Sequence, residues 1–205
     1  KPLINIIDIQ ITEKCTMKCI DCSNLMQYYD KPTHVEFSKL KNSFKKLSEC
    51  VEEFKEVRVL GGEPFFNKEI GDIVEYLVGF NNVNRISIAT NATIIPNHSI
   101  LEKINHEKVF LDITDYDEFS KNHAKLISVL KDAGIKYIKH KPQEWTDSGR
   151  IIKNNLSDKK LAGQFFNCCV NDTLTLLHGK LYHCPFSANT HNLNAIPPDK
   201  TDVID

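Results

Sequence analysis

Residues 12–23 read Thr12-Glu13-Lys14-Cys15-Thr16-Met17-Lys18-Cys19-Ile20-Asp21-Cys22-Ser23, which puts three thiols within eight residues. The segment before them, Ile4 to Thr12, is Ile-rich and alternates, so it reads as a strand. The C-x3-C-x2-C array therefore occupies a loop at a strand's C-terminal end. Thiols this close converge easily on one soft metal centre, because a short loop can wrap around it, and thiolates suit zinc or iron–sulfur sites. Structural zinc usually takes four ligands, so a zinc reading needs a distant fourth group such as His34 or Cys50. Three cysteines with no nearby His suit instead a [4Fe–4S] cube that leaves one iron without a protein ligand.

Working outward, strands and helices alternate. In Ile4–Thr12, Ile7, Ile9 and Ile11 share one face, and Asp8, Gln10 and Thr12 share the other. Residues 35–54 carry an apolar stripe (Phe37, Leu40, Phe44, Leu47, Val51, Phe54) at helical spacing, with Cys50 beside it read as a buried packing thiol. Val57–Leu60 is a second strand, ending in Gly61-Gly62-Glu63-Pro64. Asn67 is read as the cap of a helix running to about Phe80. Arg85–Thr90 is a third strand, with Ser87, Ala89 and Asn91 opposite Ile86 and Ile88. A short helix near Ser99–Ile104 follows Pro96, and Val109–Thr114 is a fourth strand with Asp112 on the lumen face. Tyr116–Asp132 reads as a helix using Phe119, Leu126, Ile127 and Leu130, closed by Gly134. Ile135–His140 is a fifth strand.

Such alternation predicts a parallel α/β sheet, here an abbreviated barrel of five or six strands with its chemistry at the C-terminal strand ends. After Lys141 the rhythm breaks. Glu144 to Arg150 reads as a polar loop and Asp158–Phe166 as a short helix. Thr173–Leu177 and Lys180–Cys184 read as two strands around a His178-Gly179 turn. The expected division is a barrel over residues 1–150 and a small hairpin region over 151–205. Lys1 stands where a complete chain would carry Met, and no closing element precedes Asp205, so the sequence reads as part of a longer protein.

Among 205 residues, 41% are hydrophobic and 26% charged, as in ordinary globular domains. The formal net charge is −1, from 26 basic and 27 acidic residues. That argues against nucleic acid or an anionic membrane as partner, since either would call for a basic excess. No apolar run is long enough to span a bilayer, and no signal peptide is visible. Six of the seven cysteines fall in two groups, with Cys50 apart. That favours metal ligation in a reducing cytoplasm over a disulfide framework.

On the cysteine triplet, on Gly61–Pro64 after the second strand, and on Thr90-Asn91-Ala92-Thr93 after the third, the sequence resembles the radical S-adenosylmethionine (SAM) enzymes over roughly residues 4–140. Asp21 stands where that family usually carries an aromatic residue. The resemblance implies a [4Fe–4S] cluster on Cys15, Cys19 and Cys22. It implies SAM contacts from Gly61, Gly62, Glu63 and Pro64, with Asn91 and Asp112 at ribose and carboxylate positions. It also implies an external electron donor such as flavodoxin or ferredoxin. The spacing Cys169-x9-Gly179-x4-Cys184 is similar to the start of the SPASM/Twitch extension. It implies a possible auxiliary cluster near the barrel mouth on Cys169 and Cys184, with Cys168 able to add a third ligand; surface or buried thiols are the alternative. Tyr28, Trp145, Asp147 and Arg150 are candidate substrate contacts. The substrate expected is a small polar molecule, a sugar or cyclitol derivative that is oxidised or epimerised; a peptide or protein residue is the alternative. A non-catalytic iron–sulfur or zinc module is a more distant reading.

Overall fold

The computed structural model describes residues 1–142, 151, 155–197, 199 and 201–204. Trp145, Asp147 and Arg150 lie outside the described residues. No helix among the described residues is long and apolar enough to cross a membrane.

Eight strands form one sheet: β1 (Leu3–Thr12), β2 (Glu53–Gly61), β3 (Val83–Thr90), β4 (Val109–Thr114), β5 (Lys136–His140), β6 (Thr173–Leu177), β7 (Lys180–Tyr182) and β8 (Val203–Ile204). Their spatial order is β5-β4-β3-β2-β1-β6-β7-β8. The six strands from β5 to β6 in that order are mutually parallel, and at the edge β7 runs antiparallel to both β6 and β8. This is the expected partial barrel, with one change. The hairpin is not a separate annex, because β6 pairs directly with β1 from Ile6↔Thr173 to Ile9↔Leu176.

The helices are α1 (Phe37–Cys50), α2 (Ile70–Val78), α3 (His98–Ile104), α4 (His123–Asp132), α5 (Asp158–Phe166) and α6 (Pro185–Asn192). Ile7, Ile9 and Ile11 are fully buried in one core with Leu40 and Phe44 of α1 and Ile70, Ile73 and Leu77 of α2. Burying a side chain of this size contributes about 1.5–3 kcal/mol. Asp8, Gln10 and Thr12, on the opposite face of β1, are also buried, each with polar partners.

Four local readings change. The helix expected to run to Phe54 stops at Cys50, and Phe54 opens β2, where its ring stacks on Phe44 at 5.3 Å. Its spacing matched the stripe because strand and helix bury the residue in the same core. Cys50 is exposed rather than packed. The helix expected from Tyr116 begins only at His123, after a single 3-10 turn at Asp117–Phe119, and Phe119 is 62% exposed. Ser120 breaks the run: its hydroxyl accepts from Tyr116 N–H (2.8 Å) and donates to Asn91 O (2.8 Å). Asn67 is no helix cap either. Its amide donates to Ile11 O (2.9 Å) and its carbonyl accepts from Glu69 N–H (2.9 Å), tying the turn after β2 to β1.

Gly134 ends α4 at φ +69°, and the His178–Gly179 turn has both residues left-handed (φ +48° and +89°), as a two-residue hairpin of this kind demands. α6 was not legible in the sequence. Its first turn is set by Pro185 and by the Cys184 thiol, which accepts from Ser187 N–H at 3.3 Å.

Candidate functional site

The loop carrying the three cysteines leaves β1 at Thr12 and is closed at its far side by Glu13. The Glu13 carboxylate accepts from Thr33 N–H (2.7 Å) and Thr33 Oγ1 (3.1 Å), and Glu13 N–H donates to Thr33 O (2.9 Å). The same carboxylate accepts from His178 Nε2 (2.9 Å) and Asn192 Nδ2 (2.7 Å). Burial alone would raise its pKa, but these donors hold it below the usual carboxylate range. Deeper in, Tyr29 donates to Asn189 Oδ1 (2.7 Å), and Asn189 exchanges hydrogen bonds with Gln10 (2.9 and 3.1 Å). Sequence reading missed this network because its members are scattered over 180 residues and share no motif.

Cys15, Cys19 and Cys22 line one cavity of about 170 Å³, together with Asn24, Leu60, Gly61, Gly62, Ala89, Thr90, Asn91, Thr114 and Tyr116. It sits at the C-terminal ends of β1 to β4, where open parallel sheets keep their ligands. Burial pushes the Cys15 thiol up to about 11, and Cys19 and Cys22 are raised for the same reason. Buried thiols of this kind give up their protons when a metal binds. Among the described residues no three His, Cys, Asp or Glu side chains converge on a point fit for a single ion. Of the two fourth zinc ligands the sequence offers, His34 bridges Thr12 at the base of the loop, but Cys50 is distant. α1 carries Cys50 back to the N-terminal end of β1, where Glu52 N–H bonds Pro2 O (2.9 Å).

The two glycines have a structural cause that their motif did not reveal. A Cβ on Gly61 would stand 2.3 Å from Thr12 O; one on Gly62 would stand 2.3 Å from Lys14 O and 2.6 Å from Cys15 Cβ. The end of β2 is pressed against the cysteine loop, and Gly62 N–H and Glu63 N–H donate to Thr12 O (3.1 Å) and Lys14 O (2.8 Å). Glu63 is fully buried and points away from the cavity. Its carboxylate accepts from Thr90 Oγ1 at 2.9 Å on both oxygens, from Asn91 N–H (2.9 Å) and from Phe65 N–H (3.2 Å). Burial pushes its pKa up to about 7. Glu63 thus braces β2 against β3 and Pro64 is buried in the turn that follows, while Gly61, Gly62 and Asn91 reach the cavity. Asn91 Nδ2 donates to Thr16 Oγ1 (3.1 Å) and lies 3.8 Å from Cys15 Sγ.

Asp112 does not line this cavity. It sits one inward-facing position below Thr114 and pairs with His140 Nε2 at 2.9 Å. Tyr28 is exposed, beside a shallow crevice with Ile20 and Phe186. Tyr116, not anticipated, closes the cavity beside the thiols, and burial raises its pKa to about 12.

The second cysteine group lies elsewhere. Because β7 runs antiparallel to β6, Cys184 returns to the level of Ile6, roughly 20 Å down the sheet from Thr12 at about 3.3 Å per residue. It lies within electrostatic reach of Cys168, and Cys169 is exposed. The pair is at the far end of β1 and not at the barrel mouth as expected. A hairpin necessarily returns its second strand to the starting end of the first. Cys184 borders a cavity of about 620 Å³ lined also by Leu3, Ile4, Phe165 and Phe186.

The model of the radical SAM superfamily matches residues 9–162, and the chain belongs to that superfamily. The GTP 3′,8-cyclase of Clostridium acetobutylicum is 32% identical over 123 residues, 58% of this chain and 38% of that protein. The chain spans about two-fifths of the length of the curated relatives it matches. Among solved structures, BtrN in complex with AdoMet and 2-DOIA superposes with a TM-score of 0.58 at 14% identity, over 92% of this chain and 76% of that one. Streptococcus suis SuiB bound to S-adenosylmethionine superposes with a TM-score of 0.55 at 14% identity, over 94% and 46%. At these identities the likeness is one of fold.

Proposed function

We propose that the chain is the core of a radical SAM enzyme that binds a [4Fe–4S] cluster on Cys15, Cys19 and Cys22, with SAM beside it over Gly61, Gly62 and Asn91. The observation that carries this is the convergence of three half-buried thiols on one cavity whose lining includes the bare backbone of Gly61 and Gly62. The donor set fits: three soft ligands spread around a cavity suit a cube better than one ion. Asn24 Oδ1 is buried there without a partner among the described residues, a polar atom left for a ligand. When bound, the cluster and SAM supply a 5′-deoxyadenosyl radical that takes a hydrogen atom from a C–H bond of the substrate.

The chain's own residues position and enclose. Glu13 clasps the loop, Asn91 fixes Thr16 beside Cys15, and Tyr116 and Leu60 shield the cavity from water. On the loop's outer side Ile20 is 71% exposed next to Lys18, a surface for an external electron donor such as flavodoxin or ferredoxin.

The substrate is a small polar molecule, a sugar or cyclitol derivative, undergoing oxidation or epimerisation. The concave face supports this. Its arginines are paired, Arg58 with Asp8 (2.6 Å) and Arg85 with Glu56 (2.5 Å), which weakens their pull on a triphosphate. Peptide modification is the second reading, favoured by the larger apolar cavity beside Phe165 and Phe186. Cys168 and Cys184, with Cys169, are proposed as ligands of an auxiliary cluster at the far end of the sheet.

Anaerobic reconstitution tests the proposal. Wild type should bind iron and sulfide and release 5′-deoxyadenosine from SAM under dithionite, and serine at Cys15, Cys19 or Cys22 should abolish both. Zinc bound without sulfide would sink it. Deuterium transfer from labelled sugars or peptides into deoxyadenosine separates the two substrate readings.

A further inference from the structure

Directly beneath the cavity, the concave face of the sheet carries a second layer of side chains. Leu60, Ala89 and Thr114 line the cavity; one inward-facing step down their strands lie Arg58, Ser87 and Asp112. Asp8 completes the layer beside Arg58, with which it is in register. Asp8 is 1% exposed, and burying a charged pair this deeply is expensive unless it serves a purpose beyond stability.

The way Arg58 is held is informative. Asp8 Oδ1 takes the Nε proton at 2.6 Å, and the two terminal nitrogens have no protein partner among the described residues. Asp8 therefore fixes the guanidinium plane and leaves the part suited to bidentate recognition free. Arg58 is 27% exposed at its side chain, Asp112 28% and His140 44%, so all three are reachable from the concave side. Below them a further cavity of about 590 Å³ is lined by Glu56, Arg85, Lys108, Phe110, Asp112 and Lys136, among others.

We propose that Arg58, aimed by Asp8, and Asp112, held by His140, form a binding site for a neutral polyhydroxylated molecule. The inference rests on the enzymatic reading above and adds the residues that choose the substrate. Both arginines of this face have a carboxylate partner, Arg58 with Asp8 and Arg85 with Glu56, while Lys108 and Lys136 at the lower rim are held by backbone carbonyls. Glu56 and Asp112 also lie within electrostatic reach of Arg58. A phosphate placed on Arg58 would face three carboxylates. A hydroxyl can accept from the guanidinium and donate to Asp112 at once, so a ring of hydroxyls matches the alternating donors and acceptors.

The test uses saturation-transfer NMR on the reconstituted chain, with myo-inositol and D-glucose as neutral probes and glucose 6-phosphate as the anionic one. The neutral probes should bind at millimolar concentration and the phosphate more weakly. Asp112→Asn, at a partly exposed position, should weaken the neutral probes about tenfold or more. Arg58→Met alone strands a buried carboxylate, so the double variant Asp8→Leu with Arg58→Met is used; it keeps the fold and should lose the neutral probes to the same degree. Unchanged affinity in either folded variant, tighter binding of the phosphate, or no transfer from the neutral probes would overturn the assignment. Iron, sulfide and SAM binding are read on the same samples. A cluster that assembles without polyol binding refutes this inference alone, and polyol binding without a cluster refutes only the enzymatic reading.

Discussion

Replacing Gly62 with alanine puts a methyl carbon 2.3 Å from Lys14 O and 2.6 Å from Cys15 Cβ. Neither neighbour is a flexible chain end; one is backbone and the other is the root of a cysteine side chain. The cysteine loop must therefore retreat by about 1 Å to reach ordinary contact, and overpacking of this kind costs about 1–3 kcal/mol. Retreat also stretches two hydrogen bonds, Gly62 N–H to Thr12 O and Glu63 N–H to Lys14 O, each contributing about 0.5–1.5 kcal/mol. The sum is roughly 2–6 kcal/mol, a large part of a typical domain's stability. For a chain of this length that corresponds to a melting point lower by about 10 °C. The assay is thermal and urea unfolding of the metal-free chain under reducing conditions, with hydrogen exchange read over residues 12–24 and iron uptake measured separately. Gly163→Ala is the internal control: nothing lies within 4 Å of its added carbon, and it sits in α5, so it should be neutral or mildly stabilising. If Gly62→Ala unfolded at the wild-type midpoint with unchanged exchange in the loop, the close approach described here would be wrong.

Glu63 should leave a mark on the pH dependence of stability. Its folded pKa of about 7 exceeds the ordinary value of 4.5, so between those values the folded state holds a proton that the unfolded chain has released. Its contribution therefore falls as pH rises through that window, by roughly 3 kcal/mol in all. Glu63→Gln should gain on wild type between pH 5 and pH 8 in urea midpoints; a constant difference would refute the shift. Glu13→Ala removes the acceptor shared by Thr33, His178 and Asn192 and should cost roughly 2–4 kcal/mol. Its signature is faster hydrogen exchange over both residues 13–35 and α6; exchange confined to the loop would show that α6 is not docked through it. Asn97 caps α3 through Ile100 N–H at 3.0 Å, so Asn97→Ala should cost about 1 kcal/mol in unfolding midpoints and leave iron uptake unchanged.

The sequence by itself determined the strand–helix alternation, the inward and outward faces of β1, and the cysteine triplet. Each depends on residues near one another in the chain, where periodicity and spacing are direct consequences of backbone geometry. Tertiary structure alone decided the rest. Phe54 and Phe119 matched a helical stripe, yet one belongs to a strand and the other faces solvent, because period alone cannot say which neighbour covers a residue. Gly61 and Gly62 read as ligand contacts; the fold adds that Thr12 and Lys14 leave them no room for a Cβ. Glu63 looked like part of the ligand site; the fold adds that the Thr90 hydroxyl and the amides of Asn91 and Phe65 occupy its carboxylate. The docking of β6 against β1, the return of Cys184 to the far end, and the Glu13 and Asp8–Arg58 partnerships all join segments about 50 to 180 residues apart. Contacts of that span come from chain closure around a shared core, and no local pattern records them.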